Sequence, residues 1–209
     1  MKIIIYLIAI IFIVSCKKEN TNTVTASGLL EGFLNDNPEI IVRKTTYAYG
    51  TYNQFYSTYR GYIFKPLSDI KISAVGAKVA GYGNFRIEIS HGWAWEKDTL
   101  LIDSVAIDNT AIFQFKNINH ELILKANEEY LIMYFNVNHD FVYDAGLGYN
   151  QSDLTNIIRF PLTIKDVQIL SPYYIYKNFY KGKYYAISEG QDMNGVFRGL
   201  VDFKYELVK

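Results

Sequence analysis

Apolar and polar side chains alternate through much of the chain, with a period of two rather than 3.6. In residues 84–90 (NFRIEIS), Phe85, Ile87 and Ile89 fall on one side and Arg86, Glu88 and Ser90 on the other. In residues 201–208 (VDFKYELV), Val201, Phe203, Tyr205 and Leu207 share a face, and Asp202, Lys204 and Glu206 share the opposite one. Ala111, Phe113 and Phe115 likewise alternate with Ile112, Gln114 and Lys116. Such segments predict half-buried antiparallel strands, one face to the core and one to water. Residues 129–137 (EYLIMYFNV) are apolar on both faces and predict a central, doubly covered strand. Residues 70–79 change phase at Val75-Gly76, where a bulge is expected. Turn residues at 80–83, 108–109 and 125–127 separate the segments. The resulting spacing predicts an antiparallel β-sandwich or barrel of about nine or ten strands. Only residues 29–34 suggest helix, as one short turn.

The amino terminus breaks this pattern. Met1-Lys2 precedes an unbroken apolar run over residues 3–14 (IIIYLIAIIFIV). That length suits a secretory leader and is short for a bilayer span. Ile13-Val14-Ser15-Cys16 follows, a Cys directly after a small residue. It resembles the lipobox of bacterial lipoproteins, which implies cleavage after residue 15 and acylation of Cys16. An uncleaved anchor and a plain cleaved leader remain open on the residues alone. Residues 17–28 (KKENTNTVTASG) are too polar to build a core and read as a tether. The Cys16-Lys17-Lys18-Glu19 start is similar to that of Bacteroidota-type lipoproteins, implying an outer-membrane location and possible cell-surface display. The expected division is leader 1–15, lipidated Cys and tether 16–28, and one β-sandwich domain over 29–209.

Composition narrows the classes. Lys+Arg and Asp+Glu are 21 each, so the formal charge is zero, and half the residues are hydrophobic. Disorder does not fit that balance. No basic excess is present to neutralise phosphates, so nucleic acid is not an expected partner. The single Cys excludes an intramolecular disulfide framework and a Cys-rich zinc site.

Residues 61–64 (GYIF), residues 70–76, the sequence LKANEEY over 124–130, and the closing GLVDF over 199–203 carry a further resemblance. Together they resemble a secreted bacterial jelly-roll domain class of unknown function, found in surface and glycan-associated proteins. It would cover residues 47–207. The resemblance implies an all-β, jelly-roll-like antiparallel β-sandwich and brings no catalytic residues with it.

Candidate chemistry concentrates in the aromatics. Tyr is 19 and Phe 13. Trp93 and Trp95 follow the strand of residues 84–90, and residues i and i+2 of an extended chain face the same way. Exposed, they would form a platform suited to stacking on sugar rings; buried, they would cap the core. His91 and Tyr82 flank the same strand and complete the expected ligand-binding set. The tyrosines crowded at residues 47–62 and 173–185 serve either as strand residues or as recognition surface. The oxygen-rich stretch 136–156 reads as a solvated loop, because its spacing does not match a calcium loop. His91, His120 and His139 lack metal-ligand spacing and are expected at the surface or in turns, in loop regions of the chain. No G-x-S-x-G, S-x-x-K or phosphate-cradling glycine pattern occurs. Of the carboxylates, Glu88, Glu96, Asp98, Asp140 and Asp144 lie nearest the notable loops, and a glycosidase would need two of them at fixed separation. The expectation is therefore a non-catalytic envelope lipoprotein, with no cofactor or metal. It would recognise a ligand, glycan above all, or else serve as a structural or accessory partner of envelope proteins.

Intact-mass analysis of the purified protein is expected to find a diacylated or triacylated amino terminus at Cys16. Cys16→Ser should move the protein from the membrane to the soluble fraction, and a leader retained in full would refute the assignment.

Overall fold

The computed structural model describes residues 27–46, 56–92, 98–137, 141–147, 158–180, 183–191 and 195–209. The expected leader, Cys16 and most of the expected tether lie outside them, as do Trp93, Trp95 and His139. The first described element is helix α1 (Leu29–Asp36). Thirteen described strands follow: β1 (Ile40–Thr46), β2 (Tyr56–Pro66), β3 (Ile70–Lys78), β4 (Gly83–His91), β5 (Asp98–Ile107), β6 (Gln114–Leu124), β7 (Tyr130–Val137), β8 (Phe141–Leu147), β9 (Leu162–Ile164), β10 (Val167–Tyr180), β11 (Lys183–Gln191), β12 (Val196–Arg198) and β13 (Leu200–Leu207).

The protein is all-β apart from α1, with antiparallel sheets packed in a sandwich-like arrangement. One layer has the order β11-β10-β2-β7-β4-β5, with β9 added to β10. Facing it are two three-stranded sheets, β1-β8-β12 and β13-β3-β6. Four pairings are nested, β1 with β8, β2 with β7, β3 with β6 and β4 with β5. They describe one long antiparallel ribbon folded back over itself. Gly199 alone separates β12 from β13. Its φ of +83° favours glycine, and a Cβ there would lie 2.7 Å from the Tyr134 ring.

The core forms where the inward rows of the two layers meet. Tyr62 and Phe64 of β2, Ile87 and Ile89 of β4, and Tyr130 and Ile132 of β7 join Ile70 and Ile72 of β3 and Val201, Phe203 and Tyr205 of β13. The rings of Phe64 and Phe203 sit 4.9 Å apart between centroids, joining the layers directly. As its sequence predicts, β7 is central, between β2 and β4, and Tyr130 to Tyr134 are all buried. Its outward-facing Leu131 and Met133 form a second apolar cluster with Ile63, Tyr173 and Ile175.

Several expectations from alternation change. Val201, Phe203 and Tyr205 are buried as expected, but so is Asp202 on the opposite face, because α1 packs there and its backbone meets the carboxylate. Ala111 and Phe113 precede β6; Ala111 N–H donates to Asn109 Oδ1 in a turn, a local bond that competes with strand pairing. The irregularity of β3 against β6 lies between Ile72 and Ala74, not at Gly76. Gly76 instead leaves room for Phe115, whose ring a Cβ would approach to 2.4 Å. The stretch 136–156 is not all loop, since residues 141–147 pair with β1 as β8 and bury Asp144. The helix extends to Asp36, longer than one turn.

Phe203→Ala removes the ring joining the layers and should lower stability by about 3–5 kcal/mol. Chemical denaturation checks this; a loss below about 1 kcal/mol would mean that the layers do not depend on that contact.

Candidate functional site

The nested ribbon gathers distant turns at one end of the sandwich. There β4 ends at His91, β2 turns into β3 through residues 67–69, and β6 turns into β7 through residues 125–129. Asn127 takes a φ of 64° in that last turn, and its N–H donates to the Pro66 carbonyl at 2.8 Å. Gly92 N–H donates to Glu129 O at 2.8 Å, pinning the start of the segment that carries Trp93 and Trp95. Val208 N–H donates to Asp69 O at 2.9 Å, so the carboxyl terminus joins the same end.

His91 lies opposite Tyr130 in the β4–β7 pairing, and the two rings are 5.3 Å apart. His91 Nε2 is 3.3 Å from Glu128 Oε2. The Tyr130 hydroxyl donates to the same Glu128 oxygen at 2.9 Å and accepts the Lys125 N–H at 2.8 Å. One carboxylate oxygen therefore fixes an imidazole and a phenol. The side chains of His91 and Glu128 are 47% and 48% exposed, leaving each able to meet a ligand. Tyr130 is buried beneath them. Burial, aided by Glu128 and Asp69, pushes its phenol up to about 12 against the opposing Lys125 N–H bond. At ordinary pH it stays protonated and acts as a donor.

Beside this trio, Asp69 accepts Lys125 Nζ at 2.8 Å and Ala126 N–H at 2.8 Å. The Lys125 bond, helped by Ala126, holds the Asp69 carboxyl below its usual range, and Asp69 in turn raises Lys125. Lys125 is exposed and Asp69 half-buried, and both stay charged at neutral pH. The rim thus presents fixed donors and acceptors over a buried aromatic floor. Such a set can hydrogen-bond vicinal hydroxyls or an amide in a chosen orientation.

The sequence-derived ligand set divides. His91 belongs to this rim, and the segment of Trp93 and Trp95 departs from it at Gly92, though both indoles lie outside the described residues. Tyr82 is 71% exposed but precedes the other end of β4. Eight residues of strand lie between it and His91, about 30 Å along the chain at the usual rise. One small ligand cannot touch both. Lys125, Glu128 and Tyr130 lie within LKANEEY, which entered the sequence reading only as a fold resemblance and as turn chemistry at residues 125–127; neither that motif nor any other marked them or Asp69 as site residues.

Two histidines stand on strands rather than in loops, His91 closing β4 and His120 within β6. Among the described residues no group of His, Cys, Asp and Glu could hold a metal ion. Glu88 is buried and engaged by Arg86 at 3.2 Å and Thr99 at 3.5 Å. Asp144 accepts the Gly199 N–H at 3.1 Å. Glu96 and Asp140 lie outside the described residues.

Tyr130→Phe deletes the phenol that links Lys125 N–H to Glu128 and should cost about 1–3 kcal/mol of stability. Thermal unfolding beside wild type checks this; no loss would mean that water replaces the hydroxyl. No family model, no curated protein and no solved structure matches the chain.

Proposed function

We propose that this protein is a non-catalytic, lipid-anchored recognition module of the bacterial outer membrane, displayed at the surface and binding glycan at the His91 rim. The carrying observation is the His91–Glu128–Tyr130 trio at the point where the Trp93 and Trp95 segment leaves β4. Sugars offer hydroxyls for a fixed imidazole and carboxylate, and C–H faces for indoles. The leader and Cys16 supply the anchor, the tether lifts the domain from the lipid, and residues 29–209 act as one domain. Within it the sandwich is a jelly roll, a reading supported by the nested pairing of β1 to β8. In that reading β12 and β13 are added between β8 and β3, and β10 and β11 extend the sheet beyond β2. No catalytic step is assigned, since the phenol of the trio is held protonated and Glu88 and Asp144 are engaged in structural bonds.

A second reading is an accessory lipoprotein that binds envelope proteins. It is favoured by exposed apolar residues at the same end, Leu67, Leu207 and Val208. Nucleic acid is not a partner in either reading.

A glycan array followed by titration calorimetry on the detergent-solubilised full chain separates them. His91→Ala, Glu128→Gln and the Trp93→Ala/Trp95→Ala pair are each expected to weaken glycan binding about tenfold or more, the loss of one or two good contacts. Binding that survives all three would move the site elsewhere. Absence of glycan binding, with saturable binding to one envelope protein, would favour the second reading.

A further inference from the structure

We propose that Asp202 is a proton-operated latch that docks helix α1 onto the sandwich. The N-cap residue, Gly28, has no side chain with which to cap the helix; Glu31 reaches back to accept the Gly28 N–H at 3.2 Å, which leaves the N–H groups of Leu30 and Glu31 still to be satisfied. The cap comes from the far end of the sequence. Asp202 Oδ1 accepts the Leu30 N–H at 2.9 Å and the Phe203 N–H at 2.8 Å, while Oδ2 accepts the Glu31 N–H at 2.8 Å. Leu30 and Glu31 hold the second and third helical positions, whose donors have no partner inside a helix. The carboxylate therefore does in trans what an N-cap Asp does locally. Fit is tight: a Cβ on Gly28 would fall 2.1 Å from Asp202 Oδ2 and 2.5 Å from the Phe115 ring. Leu29 and Leu30 seal the contact by joining the main core.

The latch is proton-operated because its carboxylate is wholly buried with no cation set against it among the described residues. From α1 the facing charged group is Glu31, of the same sign, and from β2 it is the Tyr62 phenol. From β3 and β6 the neighbours are Gly76 and Phe115, which carry no charge. Lys204, farther along β13, lies with its Nζ 4.5 Å over the Phe115 ring. Burial consequently pushes the Asp202 carboxyl up to about 7, against three N–H donors that pull it down. The Tyr62 hydroxyl is buried without a hydrogen-bond partner, and burial together with Asp202 drives its own value well up.

Released into water, Asp202 would titrate near its ordinary value of 3.8. A group whose docked pKa exceeds its free value binds a proton on docking between the two values. The extra hold on α1 is complete below about 4, declines as pH rises through about 7, and is then gone. Acid therefore tightens the helix against β13, and alkali loosens it.

Hydrogen exchange of the detergent-solubilised full chain, corrected for intrinsic rates, tests this at pH 5 and pH 8. Amides of α1 are expected to lose about tenfold or more of their protection at pH 8, while those of β7 do not change. Asp202→Asn should abolish the pH dependence, and Glu31→Gln should move its midpoint to lower pH. Equal protection of α1 at both pH values overturns the proposal, as does a dependence that survives in Asp202→Asn. If that variant fails to fold, Glu31→Gln decides, and an unmoved midpoint is the refuting result.

Discussion

Contact between the inward faces of the two layers is the constraint from which the rest of the structure follows. Neither layer is viable alone, since each leaves a full row of apolar side chains facing water. The meeting of Phe64 with Phe203 couples the seven-stranded layer to β13. It thereby fixes where β13 lies against β3 and where β12 reaches β8. Closing the sandwich also sets the turns between its strands, and it is those turns that carry the polar chemistry.

Packing at this density has a second effect, visible in the charged residues it traps. Arg60, Glu88, Asp144 and Asp202 are all buried. Burying a carboxylate is costly unless donors are directed at it. Asp144 receives a backbone N–H from Gly199, and Asp202 receives three, two of them from the amino-terminal end of a helix. These bonds tie the carboxyl-terminal strand region to β8 and α1, elements remote from it in sequence. Polar groups here specify which segments meet, where apolar contact alone would permit sliding.

The rim at His91 shows the same logic nearer the surface. Tyr130 is a core residue by its ring and a rim residue by its hydroxyl. Through Glu128 it sets the place of His91, so the orientation of an exposed imidazole depends on a side chain anchored in the core. Preorganised donors and acceptors of this kind cost little to order on binding, which favours recognition of a polar ligand. Tyr82, exposed at the far end of β4, has no part in that arrangement.

Much of the fold was legible in the sequence, because a strand in a sandwich writes its two environments into alternate residues. Residues 84–90 and 201–207 gave strands β4 and β13, and the unbroken apolar run at 130–134 gave a central strand. Alternation failed where a neighbour from elsewhere in the chain changed the environment. Asp202 lies on a polar face that α1 covers, and residues 141–147 became strand because β1 offered them a partner. Of the rim, His91 alone was marked as a ligand contact by sequence, through its place beside two tryptophans, while LKANEEY over 124–130 spoke only for the fold. Glu128 and Tyr130 gained their roles from a turn that closes 37 residues along the chain from His91 and its neighbour. The amino-acid sequence by itself determined the strand period, the apolar run over residues 3–14 and the single Cys that follows it. Tertiary structure alone decided which polar groups meet, because hydrogen bonds between remote residues leave no periodic trace in the chain.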